Sequence, residues 1–156
     1  TAPPVSIHVV GPSTAALLDH VDDDVFDNEV RPELLHSFLA NPSNLLIVAV
    51  VENTVVGMIT GIAYVHPDKP LSLFINEVGV SNRLQRRGIG RMLMDAIIEA
   101  GTRLGCVEAW VATEVGNSSA RALYETTGGV ADKENAVVYV YPLSRQATPR
   151  RKNGDA

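Results

Sequence analysis

The sequence predicts one α/β domain built on a mixed β-sheet, and three observations lead there. The chain has 156 residues, 46% of them hydrophobic, which suits one domain with one core. Its first half carries β-branched apolar segments joined by short turns, as hairpins are. Its second half alternates helical and strand patterns, as crossover connections do.

Residues 6–10 read as the first strand. Gly11-Pro12-Ser13 makes a turn with Ser13 as a candidate cap, and a helix follows to about residue 21. Pro32 can open a second helix over 32–40, because a first turn tolerates proline, and Asn41-Pro42-Ser43 stops it. Residues 45–51 and 54–65 are two strands hinged at Glu52-Asn53, and 71–80 is a third. The helix over 88–104 has an apolar face of Ile89, Leu93, Ala96, Ile97, Ala100 and Leu104. Arg91, Asp95, Glu99 and Arg103 form its polar stripe, four residues apart, so two periodicities agree. A strand over 107–113 follows, then a helix capped by Asn117 and ended by Gly128-Gly129. Residues 136–142 read as the last strand. The domain is expected to span 1–143, and the basic stretch 144–156 to be a disordered tail.

The net charge of −5 argues against general nucleic-acid binding, which needs a basic face. No run of eighteen apolar residues suggests a membrane helix, and no signal peptide is visible, so a cytoplasmic protein without membrane partners is expected. One cysteine excludes an internal disulfide; Cys106 reads as a small buried hydrophobe. The histidines are scattered, without HExxH or CxxC spacing, so no metal is expected.

Within this acidic chain, "LQRRGIGR" at 84–91 places three arginines and two glycines at the start of a helix, directly after an apolar strand. Helix N-termini carry unpaired N–H groups and partial positive charge, and glycines let the backbone close around a phosphate. The segment therefore reads as an anion site, a diphosphate by charge. It is not a Walker loop, for no GxxxxGK precedes Ser or Thr, nor the dinucleotide fingerprint, since Leu93 stands where a third glycine belongs. The plainer alternative is a glycine-relaxed helix start with surface arginines.

Gln-x-x-Gly-x-Gly between strand and amphipathic helix resembles the acetyl-CoA pyrophosphate loop of the GNAT N-acetyltransferase superfamily. "NSSARALYETTGG" is similar to that family's N-x-x-A-x-x-L-Y-x-x-x-G block, with Gly129 where an aromatic is usual. The resemblance covers about residues 5–143 and implies a mixed sheet of about six to seven strands, about four helices and a bulged strand at the cofactor cleft. It implies acetyl-CoA as co-substrate, its pyrophosphate held by Gln85, Arg86, Arg87, Gly88, Ile89, Gly90 and Arg91. Val78, Gly79 and Val80 would meet the pantetheine arm. Asn117 and Ala120 would complete the cofactor set, and Tyr124 would point its hydroxyl at the thioester sulfur. Relatives often pair through terminal strands, so a homodimer is a further expectation.

Transfer to an amine needs a base, because the amine is mostly protonated at neutral pH. Leu71, Leu73 and Ile75 place Glu77 next on one strand face, and a carboxylate continuing an apolar stripe is costly unless used. Burial would raise its pKa; the alternative is a carboxylate at a frayed strand end. Gly79 suggests a bulge, freeing the N–H of Val78 as an oxyanion donor, or simple packing. Tyr124 is the general-acid candidate, although its stripe with Ala120 and Leu123 also fits a core aromatic. Glu114 is a second carboxylate near the cleft, as base or acceptor contact.

For the acceptor, "DHVDDDVFDNE" at 19–29 offers Asp22, Asp23, Asp24 and Asp27, which with Glu77 and Glu114 would attract a small polycationic amine. An ordinary solvated acidic loop explains the run equally well. The stretches "YVHPDKP" and "NEVGVSNRLQRRGIG" look like short GNAT-type aminoglycoside 3-N-acetyltransferases. Polyamine, amino-acid or protein amines remain open as acceptors, as does a non-catalytic CoA-binding module.

Overall fold

A computed structural model describes residues 2–146. One five-stranded sheet runs through it in the order β1 (Ser6–Val9), β2 (Asn44–Val51), β3 (Thr54–His66), β4 (Lys69–Val80), β5 (Glu108–Val111). The first four strands are antiparallel and β5 lies parallel to β4, so the sheet is mixed. Helix α1 (Pro32–Ala40) precedes β2, α2 (Ile89–Arg103) follows β4, and α3 (Ser118–Thr126) follows β5.

Three expectations need correcting. The sheet has five strands rather than six or seven. Residues 136–142 are in no strand: none of the sheet's five strands pairs with them, and they are exposed. The first helix is 3-10, Pro12–Asp19, broken at Thr14. Its entry is tied by the Gly11 N–H donating to Thr14 Oγ1 at 2.8 Å, not by Ser13. The expected tail is, from 147 on, outside the described residues.

The core has two layers. Leu45, Ile47, Ala49 and Val51 face α2 and pack with Ile89, Leu93, Met94 and Ile97. Leu46, Val48 and Val50, the alternate residues of the same strand, pack with Leu18, Val25 and Leu39 on the other side. A β2 buried on both faces explains its unbroken apolar run. Met94 joins the helix face that the sequence assigned without it, while Leu104 caps α2 and is exposed.

The register of β4 matters for the site. Thr60 pairs with Glu77 and Gly61 with Ile75, so Asn76 is an extra residue in β4. This is a bulge, and it shifts the face on which every later side chain lies. Leu73 and Ile75 face α2; past the bulge Val78 and Val80 pack on that layer, and Gly79 faces Val25 and Met58 in the other. Glu77 therefore leaves the apolar stripe that the sequence assigned it and shares the face of Gly79. The bulge sits at Asn76, not at Gly79.

Candidate functional site

The loop after β4 is a short 3-10 turn, Asn82–Leu84, followed by two residues with positive φ, Arg86 (62°) and Gly88 (80°). These conformations turn the chain sharply into α2. The first intrahelical bond there is Met92 N–H to Gly88 O at 3.0 Å, which leaves the amides of Ile89, Gly90 and Arg91 without helical acceptors. A side chain at Gly88 would meet nothing within 4 Å, so the loop is open on that side. Arg86, Arg87 and Arg91 are exposed, and among the described residues none pairs with a carboxylate. Gln85 differs: its Nε2 donates to Asn82 Oδ1 at 2.9 Å and braces the turn from within. Gly90 has a packing role, because a Cβ there would lie 3.3 Å from Leu123 of α3.

Beside this loop the sheet opens. β5 pairs with β4 only from Ser72 with Glu108 to Ile75 with Val111. From Asn76 to Val80 the β5-side edge of β4 is unpaired, while β3 covers the other edge through Val80. Val78, Gly79 and Val80 thus line a split between two strands, with α2's N-terminus at its end. A Cβ at Gly79 would lie 2.2 Å from the Val25 carbonyl oxygen, so the glycine is required by a chain crossing over it.

Helix α3 closes the far side. Asn117 caps it, its Oδ1 accepting the Ala120 N–H at 3.1 Å. Leu123 and Tyr124 are half-buried and pack against the α2-side core, and burial pushes the Tyr124 phenol above its ordinary 10.0. Glu114, in the β5–α3 loop, is exposed and its carbonyl accepts the Asn117 N–H. Cys106 packs on the same core and burial raises its thiol pKa, as befits a small hydrophobe.

The acidic segment folds across the end of β4. Asp22 N–H donates to Val55 O at 3.0 Å, and Val55 N–H to His20 O at 2.8 Å. Arg83 Nε donates to Asp22 Oδ2 at 2.7 Å, and this bond, then the Ser81 hydroxyl, holds Asp22 below the ordinary carboxylate range against the opposing effect of burial. Asp24 Oδ2 accepts the Asn82 N–H at 2.8 Å. Two of the expected acceptor carboxylates thus hold the segment in place. Asp23 and Asp27 are exposed. A cleft of about 510 Å³ beneath the segment is lined by Asp19, Asp22, Asp23 and Glu29; Asp24, Asp27 and Glu77 lie outside its lining. Among the described residues no cluster of ligating side chains could hold a metal ion, and no helix is long and apolar enough to cross a membrane.

The family model described as "Acetyltransferase (GNAT) family" matches residues 14–128. The chain belongs to the GNAT acetyltransferase family. Among curated proteins it is 39% identical over 51 residues to the [ribosomal protein bS18]-alanine N-acetyltransferase of Salmonella typhimurium, covering 33% of the chain and 34% of the relative. It is 33% identical over 96 residues to N-alpha-acetyltransferase 30 of Xenopus laevis, covering 62% and 35%. The matches thus span about a third of each relative's length. Among solved structures, an aminoglycoside acetyltransferase, meta-AAC0020, from an uncultured soil metagenomic sample superposes with TM-score 0.74 at 24% identity, over 90% of this chain and 97% of the other. AAC(6')-Iy in complex with a bisubstrate analogue superposes with TM-score 0.73 at 17% identity, over 89% and 99%. These two likenesses concern the fold.

In this GNAT chain the residues that sequence reasoning passed over are Ser81 and Arg83, which anchor the acidic segment, and a cluster on the outer sheet face. Trp110 Nε1 donates to Tyr64 Oη at 2.7 Å, and the Trp110 and Phe74 rings lie 4.5 Å apart. Arg83 carried a usable signal, a lone cation just before the loop and facing a run of aspartates. The aromatic cluster joins three strands and becomes visible only once their register is known.

Proposed function

We propose that this GNAT protein transfers an acetyl group from acetyl-CoA to a primary amine of a small polycationic acceptor, aminoglycoside-like in charge. One observation carries the reading: unpaired amides and three arginines without a carboxylate partner follow a strand whose β5-side edge is open, with Glu77 on the strand face that the chain crosses at Val25. The site fits the co-substrate, because the open side of Gly88 leaves room for a diphosphate against the α2 amides of residues 89–91. Arg86, Arg87 and Arg91 would add charge, Val78 and Val80 would pair their main chain with the pantetheine arm, and the Asn117 amide would complete the set.

When bound, acetyl-CoA supplies an acyl group on a good leaving thiol. Glu77 takes the proton from the incoming ammonium, directly or through water. The Val78 N–H, on the split edge, donates to the oxygen on which negative charge develops. Tyr124 keeps its proton because it is half-buried and can give it to the departing sulfur. Asp23 and Asp27, with Glu114, would attract the acceptor's other ammonium groups.

A second reading, transfer to a protein amine, is favoured by the curated relatives, one named for an alanine of a ribosomal protein and the other for N-alpha-acetyl transfer. Calorimetry with acetyl-CoA, then thiol release with aminoglycosides, polyamines and peptides with N-terminal alanine, separates them. Heat on mixing with turnover on aminoglycosides is the expected result. Turnover on peptides alone selects the second reading, and an absence of heat overturns both.

A further inference from the structure

The sheet face turned away from α2 is covered only in part. Its core layer takes in β2 and reaches β3 at Val55 and Met58. Further along, Ile62, Phe74 and Trp110 lie side by side across β3, β4 and β5. Ile62, Tyr64 and Trp110 are 37%, 36% and 46% exposed, and Phe74 is half-buried. The bond from Trp110 Nε1 to Tyr64 Oη satisfies the indole N–H and fixes the ring. What this shelf offers a ligand is therefore ring face rather than donors.

The shelf continues the face that carries Glu77. Thr60 pairs with Glu77 there, and beyond them the chain crosses Gly79 at Val25. An amine at Glu77 thus has the crossing segment on one side and the shelf on the other. Counted along β3 at about 3.4 Å per residue, the row of Ile62, Phe74 and Trp110 is roughly 7 Å from that of Glu77, and the row of Tyr64, Ser72 and Glu108 roughly 14 Å. Glu108 alternates with Trp110 on β5 and so shares its face. It is exposed, and among the described residues no cation pairs with it. The face runs carboxylate, aromatic rings, carboxylate.

We propose that the shelf of Ile62, Tyr64, Phe74 and Trp110 holds the non-reacting ring of a multi-ring amine acceptor whose reacting nitrogen stands at Glu77. This rests on the function proposed above and names the acceptor class more closely. Charge and spacing select the occupant. Ring faces attract ammonium groups, and so do carboxylates. Two linked amino-sugar rings span the step from Glu77 to Trp110. The second ring lays its carbon skeleton on Phe74 and Trp110 and turns an ammonium toward Glu108. A single-ring amine fills only the Glu77 end, so the shelf discriminates by acceptor length.

Trp110 is the chain's one tryptophan, so its fluorescence reads the shelf without any substitution. In the full chain with CoA present, neamine, a two-ring amine, is expected to change the emission saturably. Its single-ring part, 2-deoxystreptamine, should change it far less at equal concentration. Trp110→Ala should raise the neamine KM about two- to fivefold at unchanged kcat, the weight of an exposed cation–π contact, and Trp110→Phe should restore it. Neamine turnover with an unmoved emission, or with an unmoved KM in Trp110→Ala, overturns the shelf and leaves the proposed function standing. Emission that is already that of a buried indole and indifferent to neamine means that residues 136–143 or a second copy cover the face, which also overturns it. Turnover of no amine, or of peptides alone, removes the proposed function and the shelf with it.

Discussion

Asp22 and Arg83 stand 61 residues apart in the chain and meet in a 2.7 Å hydrogen-bonded ion pair. Through it the acidic segment is fastened to the turn that opens the cofactor loop. Arg83 holds the Asp22 pKa below its ordinary 3.8. A carboxylate depressed in the folded state adds stability above its unfolded pKa, and that stability is lost as pH falls through the folded value. Asp22→Asn should therefore melt lower than the parent near neutrality, the two melting curves converging in acid below about pH 4. A constant gap at all pH values would show that the pair's charge is not what matters.

Gly79→Ala tests the crossing of segment 22–25 over β4. A methyl group there would collide with the Val25 carbonyl at 2.2 Å, a backbone atom that cannot swing away. We expect a loss of about 1–3 kcal/mol in denaturant unfolding. Gly116→Ala, where nothing lies within 4 Å, is the matched control and should change little. Equal midpoints for the two variants would remove the crossing as a constraint.

Some of this architecture is legible in the residues and some is not, for physical reasons. Helix α2 is legible because an apolar face and a charged stripe repeat on one helical period, and Arg103 does bond Glu99 at 2.6 Å. The anion loop is legible because glycines and arginines precede that helix. The face of Glu77 is not legible, since it depends on one extra residue, Asn76, counted against β3 rather than along β4. Strand alternation read along one chain assumes an even ladder, and a bulge breaks that assumption. Residues 136–142 read as a strand because their apolar run suits burial, but local pattern does not provide a partner strand, and none pairs with them among the described residues. The acidic run reads as an acceptor wall, and its charge alone does not show that Asp22 and Asp24 also bond Arg83 and Asn82, groups distant in sequence.

Glu77→Gln separates the base from the binding site. Glu77 lies on the face opposite α2, so the variant should bind acetyl-CoA with the parent's calorimetric heat. Its kcat/KM should fall about 10²–10⁴-fold, the usual weight of a positioned base. Unchanged turnover would instead hand the proton to Glu114, which Glu114→Gln then tests.

Tyr124→Phe should slow turnover about tenfold without abolishing it, because a thiol with a pKa near ~8.5 leaves without much help. Burial raises the phenol above 10.0, so it stays protonated through neutral and mildly alkaline solution. The ratio of parent to variant kcat should therefore be flat with pH below that value. A ratio that changes near neutrality would mean that another group donates the proton.

The arginines at the loop should contribute by charge and the α2 amides by geometry, and salt distinguishes the two. Arg86→Ala, Arg87→Ala and Arg91→Ala should each weaken acetyl-CoA binding about two- to fivefold, as exposed charges do. Raising ionic strength screens such contacts, with a Debye length near 10 Å at 0.1 M falling to about 3 Å at 1 M. The parent's affinity should thus drop toward that of the triple variant as salt increases, and both should level at a common residual value set by the amides of residues 89–91. A triple variant with no residual binding in calorimetry would show that the helix start does not hold the diphosphate. An affinity insensitive to both salt and arginine loss would place the diphosphate elsewhere.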